Sequence, residues 1–248
     1  MNAIQERSAG GALVPAPLQV KSPSSTGAEF KEAARVQESF LAPIERRCLR
    51  WLCSRMPASI GPDTLTLLGF AAMLMGGVSY ALAKSAPLWL WAVNLCLAVN
   101  WFGDSLDGTL ARYRDCQRPR YGFYVDNMID AIGSLILIGG LAMSGLVSER
   151  VAMGVLAGFL LLMINSYLAA HTIRRFNISV LKFSPTEMRI LLAAGNAFAW
   201  RKQYVMFLGA KHLFFDVACT IAIIGMAVFL IVSVAINTVT LYRIERLK

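Results

Sequence analysis

Four aspartates set the chemistry this sequence can perform. They lie in two runs, Asp104-Ser-Leu-Asp107-Gly108-Thr-Leu-Ala111-Arg112 and, after nine intervening residues, Gly122-Phe-Tyr-Val-Asp126-Asn-Met-Ile-Asp130. On a helix, Asp104 and Asp107 stand ~60° apart around the axis, and Asp126 and Asp130 ~40° apart. Each pair therefore shares one face. Four carboxylates brought together in weakly polar surroundings repel one another unless cations occupy the space between them. Oxygen donors without His or Cys suit Mg²⁺ or Mn²⁺ rather than zinc, and two pairs suggest two ions. Gly108 and Ala111 remove bulk beside them, and Arg112 offers a forked cation matched to phosphate oxygens. Ions, small residues and a guanidinium together make a diphosphate site.

Such residues need elements to hold them, and the sequence supplies apolar ones. Of 248 residues, 56% are hydrophobic and 16% charged, against a charged share of roughly a quarter in an average soluble domain. Beyond about residue 63 the apolar residues gather into stretches close to the ~20 that a membrane-crossing helix needs. The expectation is an all-α integral membrane protein of six spans, at 64–83, 88–112, 122–146, 151–174, 185–207 and 213–241. The second and sixth are long enough to tilt or to extend past the bilayer. The fifth is interrupted by Glu187 and Arg189 near its start and by Arg201 and Lys202 near its end. The aspartates fall where span two ends and span three begins. Charges placed there are costly and mark a site facing the bundle interior. The connecting loop is short enough to predict that these two helices lie alongside each other as antiparallel neighbours.

Orientation follows from Lys and Arg. They crowd the segment before span one and the loop after span two (Arg112, Arg114, Arg118 and Arg120). They recur after span four (Arg174, Arg175 and Lys182) and at the C-terminus (Arg243, Arg246 and Lys248). The opposite side carries only Lys84, Arg150, Arg201, Lys202 and Lys211. Both termini and the aspartates are thus expected on the cytoplasmic side, with a bacterial inner membrane as the expected location. The same asymmetry accounts for the net charge of +9 without nucleic acid, since no basic face with interleaved aromatics stands outside the spans. Residues 1–30 read as a disordered cytoplasmic tail without the apolar core of a signal peptide. In 31–57, Phe40, Ile44, Cys48, Leu52 and Met56 recur at spacing four among arginines, the pattern of a helix lying in the membrane interface. Five cysteines without paired spacing indicate neither a disulfide framework nor a zinc site.

The two aspartate runs read together as Asp-x-x-Asp-Gly-x-x-Ala-Arg…Gly-x-x-x-Asp-x-x-x-Asp, and this resembles the signature of the CDP-alcohol phosphotransferase family. All eight defining residues are present: Asp104, Asp107, Gly108, Ala111, Arg112, Gly122, Asp126 and Asp130. The gap between Arg112 and Gly122 is about one residue longer than the family's. Pro62-Asp63-Thr64-Leu65-Thr66 is similar to the family's Pro-Asn-x-x-Thr, with Asp63 in place of Asn, and Ser184-Pro185-Thr186-Glu187 resembles the segment that opens span five in relatives. The resemblance, over roughly residues 40–243, implies a domain spanning 31–248. It implies one ion on Asp104, Asp107 and Asp126 and a second on Asp104, Asp126 and Asp130, with Asp130 also the base. Asp63, Thr66, Gly108, Ala111, Arg112 and Gly122 would bind nucleotide and diphosphate. The donor would be CDP-diacylglycerol or another CDP-alcohol, the acceptor an alcohol, the leaving group CMP and the assembly a homodimer.

Other polar residues read more plainly. Arg114, Arg118 and Arg120 could bind an acceptor phosphate or lipid headgroups, but fit the ordinary cytoplasmic excess of positive charge. His171 and His212 read as interface residues. Asp216 and Asn237 either line a cavity or hydrogen-bond a neighbouring helix. Two rival functions share the intramembrane carboxylates. A membrane prenyltransferase lacks the Gly-x-x-Ala-Arg continuation, and a cation transporter shows an internal repeat, of which no second aspartate cluster gives a sign.

Overall fold

A computed structural model describes residues 34–36, 42–173, 175–177 and 185–245. The expected tail at 1–30 lies outside the described residues, as do Arg174, Lys182, Ser184, Arg246 and Lys248. In chain order the elements are β1 (Ala34–Val36), α1 (Ala42–Arg55), α2 (Pro62–Leu82), α3 (Trp89–Tyr113), α4 (Pro119–Met143) and α5 (Glu149–Thr172). They continue with β2 (Arg175–Asn177), α6 (Pro185–Arg201), β3 (Tyr204–Phe207), β4 (Ala210–Leu213) and α7 (Phe214–Ile244). β1 pairs in parallel with β2, and β3 pairs antiparallel with β4.

Among the described residues, four helices, α2, α4, α5 and α7, are long and apolar enough to cross a membrane. The two other expected spans differ for physical reasons. α3 has ample length but carries Asn94, Asn100, Asp104 and Asp107 along it, so the polar groups of the site dilute its apolar character. α6, at 17 residues, sits at the lower limit of the ~17–25 a span uses and carries Glu187, Arg189 and Arg201. The expected fifth span through 207 is corrected here. The helix stops at Arg201, and the next residues form the β3–β4 hairpin, whose turn places Leu208 and Gly209 at φ 49° and 81°. Two successive positive φ values are what a tight hairpin demands, and Gly meets the second at no steric cost. Of the expected interfacial helix at 31–57, the described residues show β1 at 34–36 and helix from 42 to 55.

The predicted side-by-side packing of the two aspartate-bearing helices is the larger correction. α3 and α4 each pack along α2, not along one another. Glycines make this possible. A Cβ on Gly103 of α3 would stand 2.5 Å from the Leu65 carbonyl oxygen of α2, and one on Gly140 of α4 only 2.0 Å from that of Gly77. With both helices drawn onto α2, their carboxylate faces border a cleft instead of pressing together. Farther along the bundle, the Tyr80 hydroxyl donates to Asn196 Oδ1 at 2.8 Å, and Asn196 Nδ2 donates to Asn94 Oδ1 at 2.8 Å. These buried bonds tie α2, α6 and α3 together among Leu90, Val93, Leu97, Leu137 and Leu141. A second apolar cluster joins α1 to α2 and α3 through Leu49, Cys53, Leu65, Leu106 and Leu110. Asp216 bonds a neighbour, its Oδ1 accepting from the Ser148 backbone N–H that precedes α5 at 2.6 Å.

Candidate active site

The cleft brings three of the four aspartates together. One carboxylate oxygen each from Asp104 on α3 and from Asp126 and Asp130 on α4 lie within 4.8 Å of one another. The helical spacing of Asp126 and Asp130 turns both toward α3, and the glycine-mediated packing on α2 sets how far apart the two helices stand. Asp107 lines the same cavity but stands apart from this converging group. Its Oδ2 accepts from the Thr66 hydroxyl at 2.5 Å and its Oδ1 from the Gly108 backbone N–H at 2.5 Å. Thr66, on the first turns of α2, thus holds the fourth carboxylate in place. The cavity, about 10 Å³ and partly open, is lined also by Gly69, Phe70, Met73 and Asn100.

Arg189 enters from α6, its Nη2 2.5 Å from Asp104 Oδ2. Sequence reading treated this residue only as a flaw in the fifth span. The signal that could have found it is the cost of placing an arginine in an apolar helix without a partner. Arg112 folds back along its own helix, Nη2 3.4 Å from the Thr109 hydroxyl and beside the bare Gly108. Ala111 is half-buried next to it. Gly122 is exposed, with nothing near the place of its absent side chain. Asp63 forms an ion pair with Arg118, which also lies 4.2 Å over the Tyr121 ring. This pair joins the start of α2 to the α3–α4 connection, so Asp63 and Arg118 meet each other and not the carboxylate cluster. Arg114 donates to the backbone oxygens of Met56, Pro57 and Ile60 at 2.7–3.1 Å, clamping the α1–α2 turn. Arg120 is exposed at the start of α4.

The donor set fits a hard divalent cation. Three carboxylate oxygens converge with neither thiol nor imidazole among them, and such oxygens are the ordinary ligands of Mg²⁺ and Mn²⁺. A profile of the CDP-alcohol phosphatidyltransferase family matches residues 60–238, a stretch that holds every one of these carboxylates. The chain belongs to this family. Membership and the four long apolar helices make it an integral membrane protein of all-α architecture. Over 127 residues the chain is 28% identical to archaetidylinositol phosphate synthase of Pyrococcus horikoshii, covering 50% of this chain and 61% of that one. Over 86 residues it is 30% identical to phosphatidylinositol phosphate synthase of Cutibacterium acnes, covering 35% of this chain and 39% of that one. The chain thus aligns with less than two thirds of the length of either relative.

Proposed function

We propose that this chain transfers a phosphatidyl group from CDP-diacylglycerol, or a related phosphoalcohol from another CDP-alcohol, to an alcohol acceptor in phospholipid synthesis. The observation that carries the reading is the convergence of Asp104, Asp126 and Asp130, drawn from both halves of the family signature, at a cleft also lined by Asp107. In this reading Asp104, Asp126 and Asp130 hold one Mg²⁺ or Mn²⁺, and Asp107 contributes with Asp104 and Asp126 to a second. The bound ions supply charge stabilisation to the diphosphate oxygens.

The chain's own residues do the rest. Gly108 and Ala111 leave α3 low enough for the diphosphate to lie against it, and Arg112 pairs with its oxygens. Thr66 keeps Asp107 turned toward the cleft. Asp63 and Gly122 flank the nucleotide, with Arg118 and Arg120 next to it for an acceptor phosphate or headgroup. Asp130 takes the proton of the acceptor hydroxyl as its oxygen attacks the phosphorus that carries the lipid. The bond from that phosphorus to CMP breaks, and CMP leaves with the electron pair. Holding both substrates in line contributes more than the strength of the base.

The finer arrangement we propose has six crossings, with α3 and α6 completing the four long apolar helices and α1 in the interface. Residues 31–248 form the membrane domain, in a bacterial inner membrane, with both termini and the cleft on the cytoplasmic side and two copies forming a homodimer. The names of the two relatives make an inositol phosphate the first acceptor to try. The test is CMP release by the purified protein with CDP-diacylglycerol, Mn²⁺ and a panel of alcohols. One alcohol should support release, and chelation should abolish it. Asp130→Asn should lower the rate about 10²- to 10⁴-fold. Release that is indifferent to chelator and to Asp130 would sink the reading.

A further inference from the structure

Asn100 lies one turn before Asp104 on α3 and lines the same cavity, yet none of the roles above uses it. It is 4% exposed. Its Nδ2 donates to the Gly69 carbonyl oxygen of α2 at 3.1 Å, which fixes the sense of the amide. Oδ1 is left as a buried acceptor with no hydrogen-bond partner among the described residues. An unsatisfied buried acceptor costs about 1–3 kcal/mol, and the great majority of such atoms have a partner. The amide has little freedom to escape this cost. Gly69 and Gly103 bring the α2 and α3 backbones together beside it, so close that a Cβ on Gly69 would lie 3.3 Å from the Asp104 nitrogen.

A ligand that carries a proton donor would satisfy this acceptor. The polar groups around the cavity besides Asn100 are Asp104, Asp107, Asp126, Asp130 and Thr66. Ionised carboxylates only accept, and the Thr66 proton is given to Asp107. A species drawn to carboxylates that also donates a hydrogen bond to a neutral amide oxygen is a hydrated cation, and Mg²⁺ in particular keeps several of its waters when bound. We propose that Asn100 is a further binding residue of the cation site, its Oδ1 accepting from a water of a hydrated divalent cation held by Asp104, Asp126 and Asp130. The inference rests on the metal reading given above and adds a neutral fourth anchor to the cleft.

Mn²⁺ titration of the full-length protein in detergent tests it, read from the free-Mn²⁺ paramagnetic signal and from the rise in melting temperature that Mn²⁺ produces. Asn100→Leu should weaken Mn²⁺ binding about 10- to 100-fold and shrink the thermal rise. Asn100→Asp keeps an oxygen but loses the donor to Gly69, and should bind Mn²⁺ at least as tightly as the parent. Were Asn100→Leu not to accumulate, Asn100→Ala makes the same comparison. Undiminished binding in the Leu or Ala variant overturns the proposal. So does equal weakening in the Asp variant, because the loss would then come from the bond to Gly69. A parent protein that binds no Mn²⁺ overturns the metal reading itself, whereas loss confined to Asp130→Asn overturns only the role of Asn100.

Discussion

Arg189 places a guanidinium 2.5 Å from a carboxylate that a divalent cation would also claim. In the metal reading the two positive charges would compete for Asp104, and that competition can be measured. Replacing Arg189 by Met removes the countercharge from α6 and leaves three converging carboxylates to repel in a partly buried cleft. The melting temperature in chelator should fall by several degrees, while that in saturating Mn²⁺ falls less, so the protein becomes more dependent on metal. Thermal unfolding in the two buffers checks this, and an equal fall in both would refute the competition. At this scale the sequence was informative where residue type alone decides. Aspartates repeating at helical spacing within apolar helices marked the candidate site. It did not reveal the contacts of Arg189 and Asn100, because these depend on lying opposite Asp104 and Gly69 on other helices.

Between elements, one carboxylate does much of the joining. Glu45, on α1, is nearly buried, and its Oε1 accepts from Trp101 Nε1 at 3.0 Å, Ser105 Oγ at 3.4 Å and Thr186 Oγ1 at 2.7 Å. It thereby links α1 to the segment of α3 beside Asp104 and to the first turn of α6, which carries Arg189. Glu45→Ala should lower stability by about 1–3 kcal/mol, because three donors lose a partner in a protected place. Glu45→Gln keeps an acceptor oxygen and should recover most of that loss. Parallel thermal melts check this, and equal stability in both variants would contradict it. The existence of the helices could be read from apolar runs bounded by Pro62, Pro119 and Pro185. Their partners could not. Gly103 and Gly140 draw α3 and α4 onto α2, a preference that depends on which backbones meet in space and leaves no periodicity to count. The β3–β4 hairpin was hidden for another reason, since its Met206, Phe207 and Leu208 are as apolar as a span.

For the molecule as a whole, the asymmetry of Lys and Arg predicts which cysteines an impermeant reagent reaches from each side. Cys116 is exposed in the α3–α4 connection, whereas Cys53 is buried against α2 and α3, where burial pushes its thiol pKa up. In a protein keeping Cys116 as its sole cysteine, maleimide should label inverted vesicles and spare right-side-out ones. A cysteine introduced at Leu208, 91% exposed at the hairpin tip, should behave oppositely. Labelling of both from one side would exclude an odd number of crossings between them.

The Arg189–Asp104 pair also has a history within each molecule's synthesis. Its members are 85 residues apart, and chains grow at roughly 5–20 residues per second, so about 4–17 s pass between the making of one and of the other. Throughout that interval α3 sits at or near the bilayer with Asp104 lacking the guanidinium it finally meets. Water or a passing cation has to serve until α6 arrives. The order of the helices along the chain is therefore also a schedule, in which the cleft acquires its acidic wall first and its internal countercharge last.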